Sequence, residues 1–196
     1  MMIHQRAGRI ASGLVKRKVI DEKQHEVYTY GFELIVSALI NILLMAIISI
    51  AFRRYYDWLL FLAAFVPLRM TAGGYHAGSH MKCIIVGTVG FTALLALCRF
   101  WGDWIIAILL IAALSFLLIL SFSPVEAHNK KLKGGQRKKN RTISMCIGVA
   151  NLVIAVVVRF IPSLSGVLNI YYAGVFAAAL SMLAVKTTKL GEGVLT

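Results

Sequence analysis

Two histidines and a cysteine, His76, His80 and Cys83, fall in one short stretch, Arg69-Met70-Thr71-Ala72-Gly73-Gly74-Tyr75-His76-Ala77-Gly78-Ser79-His80-Met81-Lys82-Cys83, with long apolar runs on either side. A thiol becomes a nucleophile when a neighbouring base or positive charge raises its thiolate fraction, and histidine is the usual device. In a continuous helix His80 lies three residues before Cys83 and shares its face. His76 is seven residues away, ~10.5 Å of helical rise, and reaches Cys83 only if the chain turns back at Gly78-Ser79. Spacing alone leaves both bases open. A metal centre is disfavoured, because the stretch holds no carboxylate and no His-Glu-x-x-His arrangement, so neither metal nor other cofactor is expected.

The elements that must hold this stretch belong to a membrane. Of 196 residues 59% are apolar, and the mean hydropathy is +0.79, above the range of soluble domains. Unbroken apolar runs exclude the short alternating segments of a β-barrel. The formal charge of +13 is explained by juxtamembrane basic segments facing anionic lipid. No aromatic-basic or zinc-finger pattern accompanies it, so nucleic acid is not an expected partner.

Residues 1–28 form a basic segment in which Ile3, Ala7, Ile10 and Leu14 recur at helical spacing, and an amphipathic helix in the membrane interface is expected there. Six apolar runs follow: Leu34 to Phe52, Trp58 to Met70, Ile84 to Cys98, Trp104 to Phe122, Ile143 to Val158 and Val167 to Val185. The expected architecture is an all-α integral membrane protein, a single domain over 1–196. It comprises the amphipathic segment and a six-helix transmembrane region over 29–190, with a flexible basic loop at 123–142. Trp58 to Met70 and Ile84 to Cys98 are short, reaching ~20 and ~23 Å against a ~30 Å hydrocarbon core. The segment between them is therefore expected to dip into the interface or to continue these helices at membrane depth.

Sidedness follows from the basic residues. Seventeen of the 21 Lys and Arg lie in the amino-terminal segment, the Arg69 to Lys82 stretch, the loop after Phe122 and the tail; the remaining four are Arg53, Arg54, Arg99 and Arg159. The positive-inside rule places both termini and the His/Cys stretch in the cytoplasm. Cys98 then lies at the opposite leaflet from Cys83 and Cys146, too far for a disulfide. Cys98 and Cys146 read as packing residues within helices.

The pattern Arg69-x-x-Ala72-Gly73-Gly74-Tyr75-His76-Ala77, with Cys83 seven residues after the histidine, resembles the signature of the accessory gene regulator B family, bacterial membrane endopeptidases that process quorum-sensing peptide precursors. Pro124-Val125-Glu126-Ala127-His128-Asn129-Lys130 resembles a loop of the same family, with Glu126 where an aspartate is expected. The resemblance covers nearly the whole chain. It implies a multi-pass cell-membrane protein with Cys83 as nucleophile and His76 as base, acting on a short amphipathic peptide precursor. It further implies an acyl-enzyme thioester and a cyclic thiolactone or lactone product. Arg69 matches a position for substrate or oxyanion contact, and Gly74, beside Gly73, one for backbone shape. His80 stays as the local rival base, and Glu33 and Glu126 are candidate orienting acids. Anionic lipid is an expected partner, and a homodimer stays open. The rival readings are a small multi-spanning transporter, for which Glu33 and Asn41 are all that the first run offers as a path, and a membrane scaffold that docks partners on its basic loop.

Overall fold

The computed structural model describes residues 2–73, 80–100, 105–125, 134–158, 160–161 and 165–194, and among them no strand occurs. The α-helices are α1 (Met2–Lys16), α2 (His25–Ala51), α3 (Asp57–Ala72), α4 (His80–Phe100), α5 (Ile105–Phe122), α6 (Gly134–Val158) and α7 (Ser165–Val194). Each of α2 to α7 overlaps one of the six apolar runs. Among the described residues four segments are long and apolar enough to cross a membrane: Glu22–Ala51, Met81–Arg99, Gly135–Val158 and Leu168–Val185. Ile106–Phe122 is apolar but shorter, and the 16 residues of α3 rise only ~24 Å.

The helices overrun the apolar runs. α4 starts at His80 rather than Ile84, so its 21 residues rise ~31 Å, and the shortness inferred from the apolar run disappears. α6 starts at Gly134, so Arg137, Lys138, Lys139 and Arg141 are helical rather than part of a flexible loop. The physical reason is the same in both. Hydropathy ends where side chains turn polar, whereas the backbone hydrogen-bond ladder continues through Lys and Arg, which are good helix formers whose heads reach back to the interface.

Large apolar side chains point outward along these helices, as with Leu39 (60% exposed), Leu43 (62%) and Leu110 (65%). A surface of that kind suits hydrocarbon and would associate in water. The protein is a membrane protein, helical and without strand among the described residues.

The chain divides into two compact units, one of Met1–Ile48 with Ala77–Thr92, the other of Ser49–His76 with Ala93–Thr196. In the first, α1 ends in a reversal at Lys18, whose φ is 55°, and α2 returns beside it. Ser12 Oγ lies 3.0 Å from His25 Nε2. The buried face of α1 carries Ala7 and Ala11, while Ile10 is 49% exposed. The amphipathic helix therefore forms, but its inward positions are small. Farther along α2, Asn41 Oδ1 accepts a hydrogen bond from Thr88 Oγ1 of α4 (3.1 Å), and Gly87 leaves room for the Asn41 amide.

The second unit packs α3 against α7, and α5 against α6 and α7. Ala64, Leu68 and Ala72 of α3 meet Tyr172, Val175, Ala178 and Met182 of α7, with Ile108, Ala112 and Ile119 of α5 and Ala155 of α6 completing the core. At Gly174 a side chain would collide with the Phe61 carbonyl (2.7 Å from an added Cβ). Small residues set the helix separation because in lipid van der Waals contact, not water exclusion, holds helices together. The Tyr172 hydroxyl, buried among them, donates to the Asn151 carbonyl (2.9 Å) and so spares an unpaired polar group at membrane depth.

Candidate active site

Cys83 sits in the first turn and a half of α4, half-buried, and its sulfur is a free thiol, as are those of Cys98 and Cys146. The helix that carries it begins at His80, so His80 and Cys83 share one helix as their spacing suggests. His76, Gly74, the turn expected at Gly78-Ser79, and the side chain of His80 lie outside the described residues. So does Glu126.

On the other side of the stretch, α3 ends at Ala72 and the cap residue Gly73 takes φ 79° and ψ −165°, a region open essentially to glycine alone. Its lack of a side chain is used. The Val125 carbonyl lies against the Gly73 Cα where a Cβ would project, and the Val125 amide donates to the Ala72 carbonyl (2.8 Å). The chain leaving α5 through Ser123-Pro124 is thus stitched to the last residues of α3. The backbone requirement expected at Gly74 lies outside the described residues, and the one observed is at Gly73. Its partner, Val125, was not legible in the sequence, because the contact is made by main chain.

Arg69 occupies the last turn of α3, where a cation suits the helix dipole. Its Nη1 donates to Ser181 Oγ of α7 (2.9 Å), and Ser181 passes its own proton to the Ala178 carbonyl (2.7 Å). The guanidinium carbon stands 6.0 Å from the centre of the Phe65 ring, within cation–π range. Ser181 was missed in the sequence, although a hydroxyl inside an apolar run is the signal that could have found it.

Glu33, one of the two proposed orienting acids, is buried on α2 (7% exposed), and its carbonyl accepts the Ser37 hydroxyl (2.7 Å). It belongs to the same unit as Cys83, whereas Arg69 and Gly73 belong to the other. Asp57 is engaged locally, its Oδ2 accepting from Arg54 Nε at 2.7 Å. Cys146, expected as a packing residue, is exposed on the surface of α6. Among the described residues no group of His, Cys, Asp and Glu could hold a metal ion. What the arrangement offers is a half-buried thiol near a helix start and, on the other unit, a fixed cation.

Residues 7–185 match the model of a protein family described as Accessory gene regulator B. An AgrB-like protein of Clostridium perfringens strain SM101 is 27% identical over 140 residues, which cover 65% of this chain and 65% of that protein. An AgrB-like protein 2 of Clostridium perfringens strain 13 is 28% identical over 127 residues, covering 61% of this chain and 59% of that protein. The chain thus spans a little under two thirds of these relatives' lengths. No solved structure matches it. With the family model running from the middle of α1 to the last third of α7, the chain belongs to the Accessory gene regulator B family.

Proposed function

We propose that the protein is a membrane cysteine endopeptidase that removes the carboxy-terminal tail of a quorum-sensing peptide precursor, with Cys83 as nucleophile and His76 as its base. The observation that carries this reading is the family match across 7–185, which includes the whole Arg69 to Cys83 stretch. The placement of Cys83 supports it: the thiol is half-buried at the start of a helix apolar enough to span, so it stands at the membrane edge where an amphipathic precursor would lie.

The chemistry follows. His76 takes the Cys83 proton, and the thiolate attacks the carbonyl carbon of the scissile peptide bond. Arg69 stabilises the oxyanion or a carboxylate of the precursor. The C–N bond breaks, the imidazolium protonates the leaving amine, and the tail departs from an acyl-enzyme thioester. A cysteine thiolate of the precursor then attacks the thioester, which closes a thiolactone and returns Cys83 to the thiolate form; a serine would give a lactone. Thioesters hydrolyse, so a sheltered thiol favours ring closure over attack by water.

In this reading α2 to α7 all cross the cell membrane, both termini and Cys83 face the cytoplasm, and the basic start of α6 faces anionic lipid. Co-expression with a candidate precursor tests the proposal. Wild type releases the tail and Cys83→Ala does not; trimming by the alanine variant would sink the reading and leave a transporter or scaffold.

A further inference from the structure

The hairpin of α1 and α2 holds two adjoining open clefts whose linings include neither Cys83 nor Arg69. One, of about 580 Å³, is lined by Gln5, Gly8, Arg9, Ser12, Gly13, Lys16 and His25. The other, of about 340 Å³, is lined by Gly8, His25, Glu26, Thr29, Tyr30 and Glu33. Gly8 and His25 belong to both, so the two open clefts adjoin, and together they are called the channel. Its floor is cut away, since a Cβ added at Gly8 or at Gly13 would meet nothing within 4 Å. The Ser12–His25 contact, 3.0 Å, ties the two helices within the lining of the first cleft. Because Ser12 donates its proton to the Gly8 carbonyl (2.8 Å), the 3.0 Å contact is one in which the imidazole donates. That disposition suits a strut and not a nucleophile.

The charges are sorted between the clefts: Arg9 and Lys16 line the first, Glu26 and Glu33 the second, and His25 stands in both. A ligand that suits this lining carries both an anion and a cation. The depth of the channel says where that ligand comes from. The apolar helical segment Glu22–Ala51 has 30 residues, ~45 Å of rise against ~30 Å of hydrocarbon, so about its first third stands at headgroup level. Ile10, Val19, Val27, Tyr28 and Tyr30 of the same hairpin are exposed, apolar and aromatic side chains of the kind that settle at the acyl boundary.

We infer that the α1–α2 channel is a headgroup site for an aminophospholipid, its phosphate held by Arg9 and Lys16 and its primary ammonium directed to Glu26. A primary ammonium donates hydrogen bonds to a carboxylate. A trimethylammonium cannot, and a glycerol headgroup has no cation to offer.

Native mass spectrometry of the full-length delipidated protein, titrated with ethanolamine, choline and glycerol phospholipids of identical acyl chains, tests this. Ethanolamine lipid is retained about tenfold more tightly than choline lipid, the worth of one charged hydrogen bond. E26Q erases that preference while phosphate-dependent binding persists. The double variant R9Q/K16Q weakens every phospholipid about 30-fold. G8L and G13L, whose side chains enter open space and leave the hairpin intact, block binding. Equal retention of the three lipids, retention unaffected by G8L and G13L, or full displacement by millimolar inorganic phosphate would overturn the assignment. So would stoichiometric displacement by a precursor peptide, which would make the channel a peptide site.

Discussion

Arg69 of α3 and Ser181 of α7 are joined by a 2.9 Å hydrogen bond, and Ser181 is itself anchored on the Ala178 carbonyl at 2.7 Å. The guanidinium is thus aimed by a helix far away in sequence. If Arg69 stabilises charge on the substrate, Ser181→Ala should leave the protein folded and lower precursor processing about tenfold, in proportion to one hydrogen bond to a charged group. Ser181→Thr, which keeps the hydroxyl, should retain most of the activity. A fall in kcat at unchanged KM would assign Arg69 to the oxyanion, and a rise in KM alone would assign it to substrate binding. Equal activity of the alanine and wild-type proteins would remove Ser181 from the mechanism.

The choice of base is tested by separating the two histidines. His76→Ala should reduce processing by about 10²-fold or more, the usual worth of a general base, and should slow alkylation of Cys83 by iodoacetamide. His80→Ala should change either rate only a few-fold. The reverse result would make the helical neighbour of Cys83 the base, as its spacing alone suggests.

Gly73 combines a φ of 79° with the Val125 carbonyl packed on its Cα. Gly73→Ala should therefore lower stability by about 1–3 kcal/mol, seen as a reduced Tm in detergent, and should diminish processing as the α3 end and the α5 exit separate. Gly90→Ala is the control, because a Cβ there meets nothing within 4 Å. It should be neutral or slightly stabilising, as expected for removal of a glycine from a helix interior.

Periodicity and apolar length made the helices of this fold legible. They could not show where each helix stops. Hydropathy ended the third run at Ile84 and the fifth at Ile143, yet the backbone continues to His80 and to Gly134. Nor could they show which face of α1 turns inward. Ile10 is the more apolar residue, but close approach of two helices selects Ala7 and Ala11. At the candidate site the chemistry was legible in residue types: a thiol, an imidazole and a guanidinium in one stretch. The supports were not. Ser181 is more than a hundred residues from Arg69, and Val125 acts through its main chain, which carries no residue-type signal.

Asn41, one of the few polar residues available for a transport path, is instead a clamp, accepting from Thr88 at 3.1 Å beside Gly87. A double-mutant cycle with Asn41→Leu and Thr88→Val should show a coupling of about 0.6–2 kcal/mol in unfolding, the range for hydrogen bonds between membrane helices. Additive effects would mean that the pair does not hold α2 to α4.

The three thiols report depth and side together, each in a variant that keeps one cysteine. Cys83 is half-buried near the start of α4. A membrane-impermeant maleimide should modify it slowly, only in inside-out vesicles, and more slowly still when a precursor is present. Cys146 is exposed, but it lies twelve residues into α6 from Gly134, ~18 Å of rise. Its exposure is then to lipid, and a lipid-soluble maleimide should label it where the impermeant one does not. Labelling of Cys83 from the outer face would overturn the cytoplasmic assignment. Rapid labelling that ignores the precursor would show a thiol open to water, one on which a thioester would hydrolyse before the ring could close.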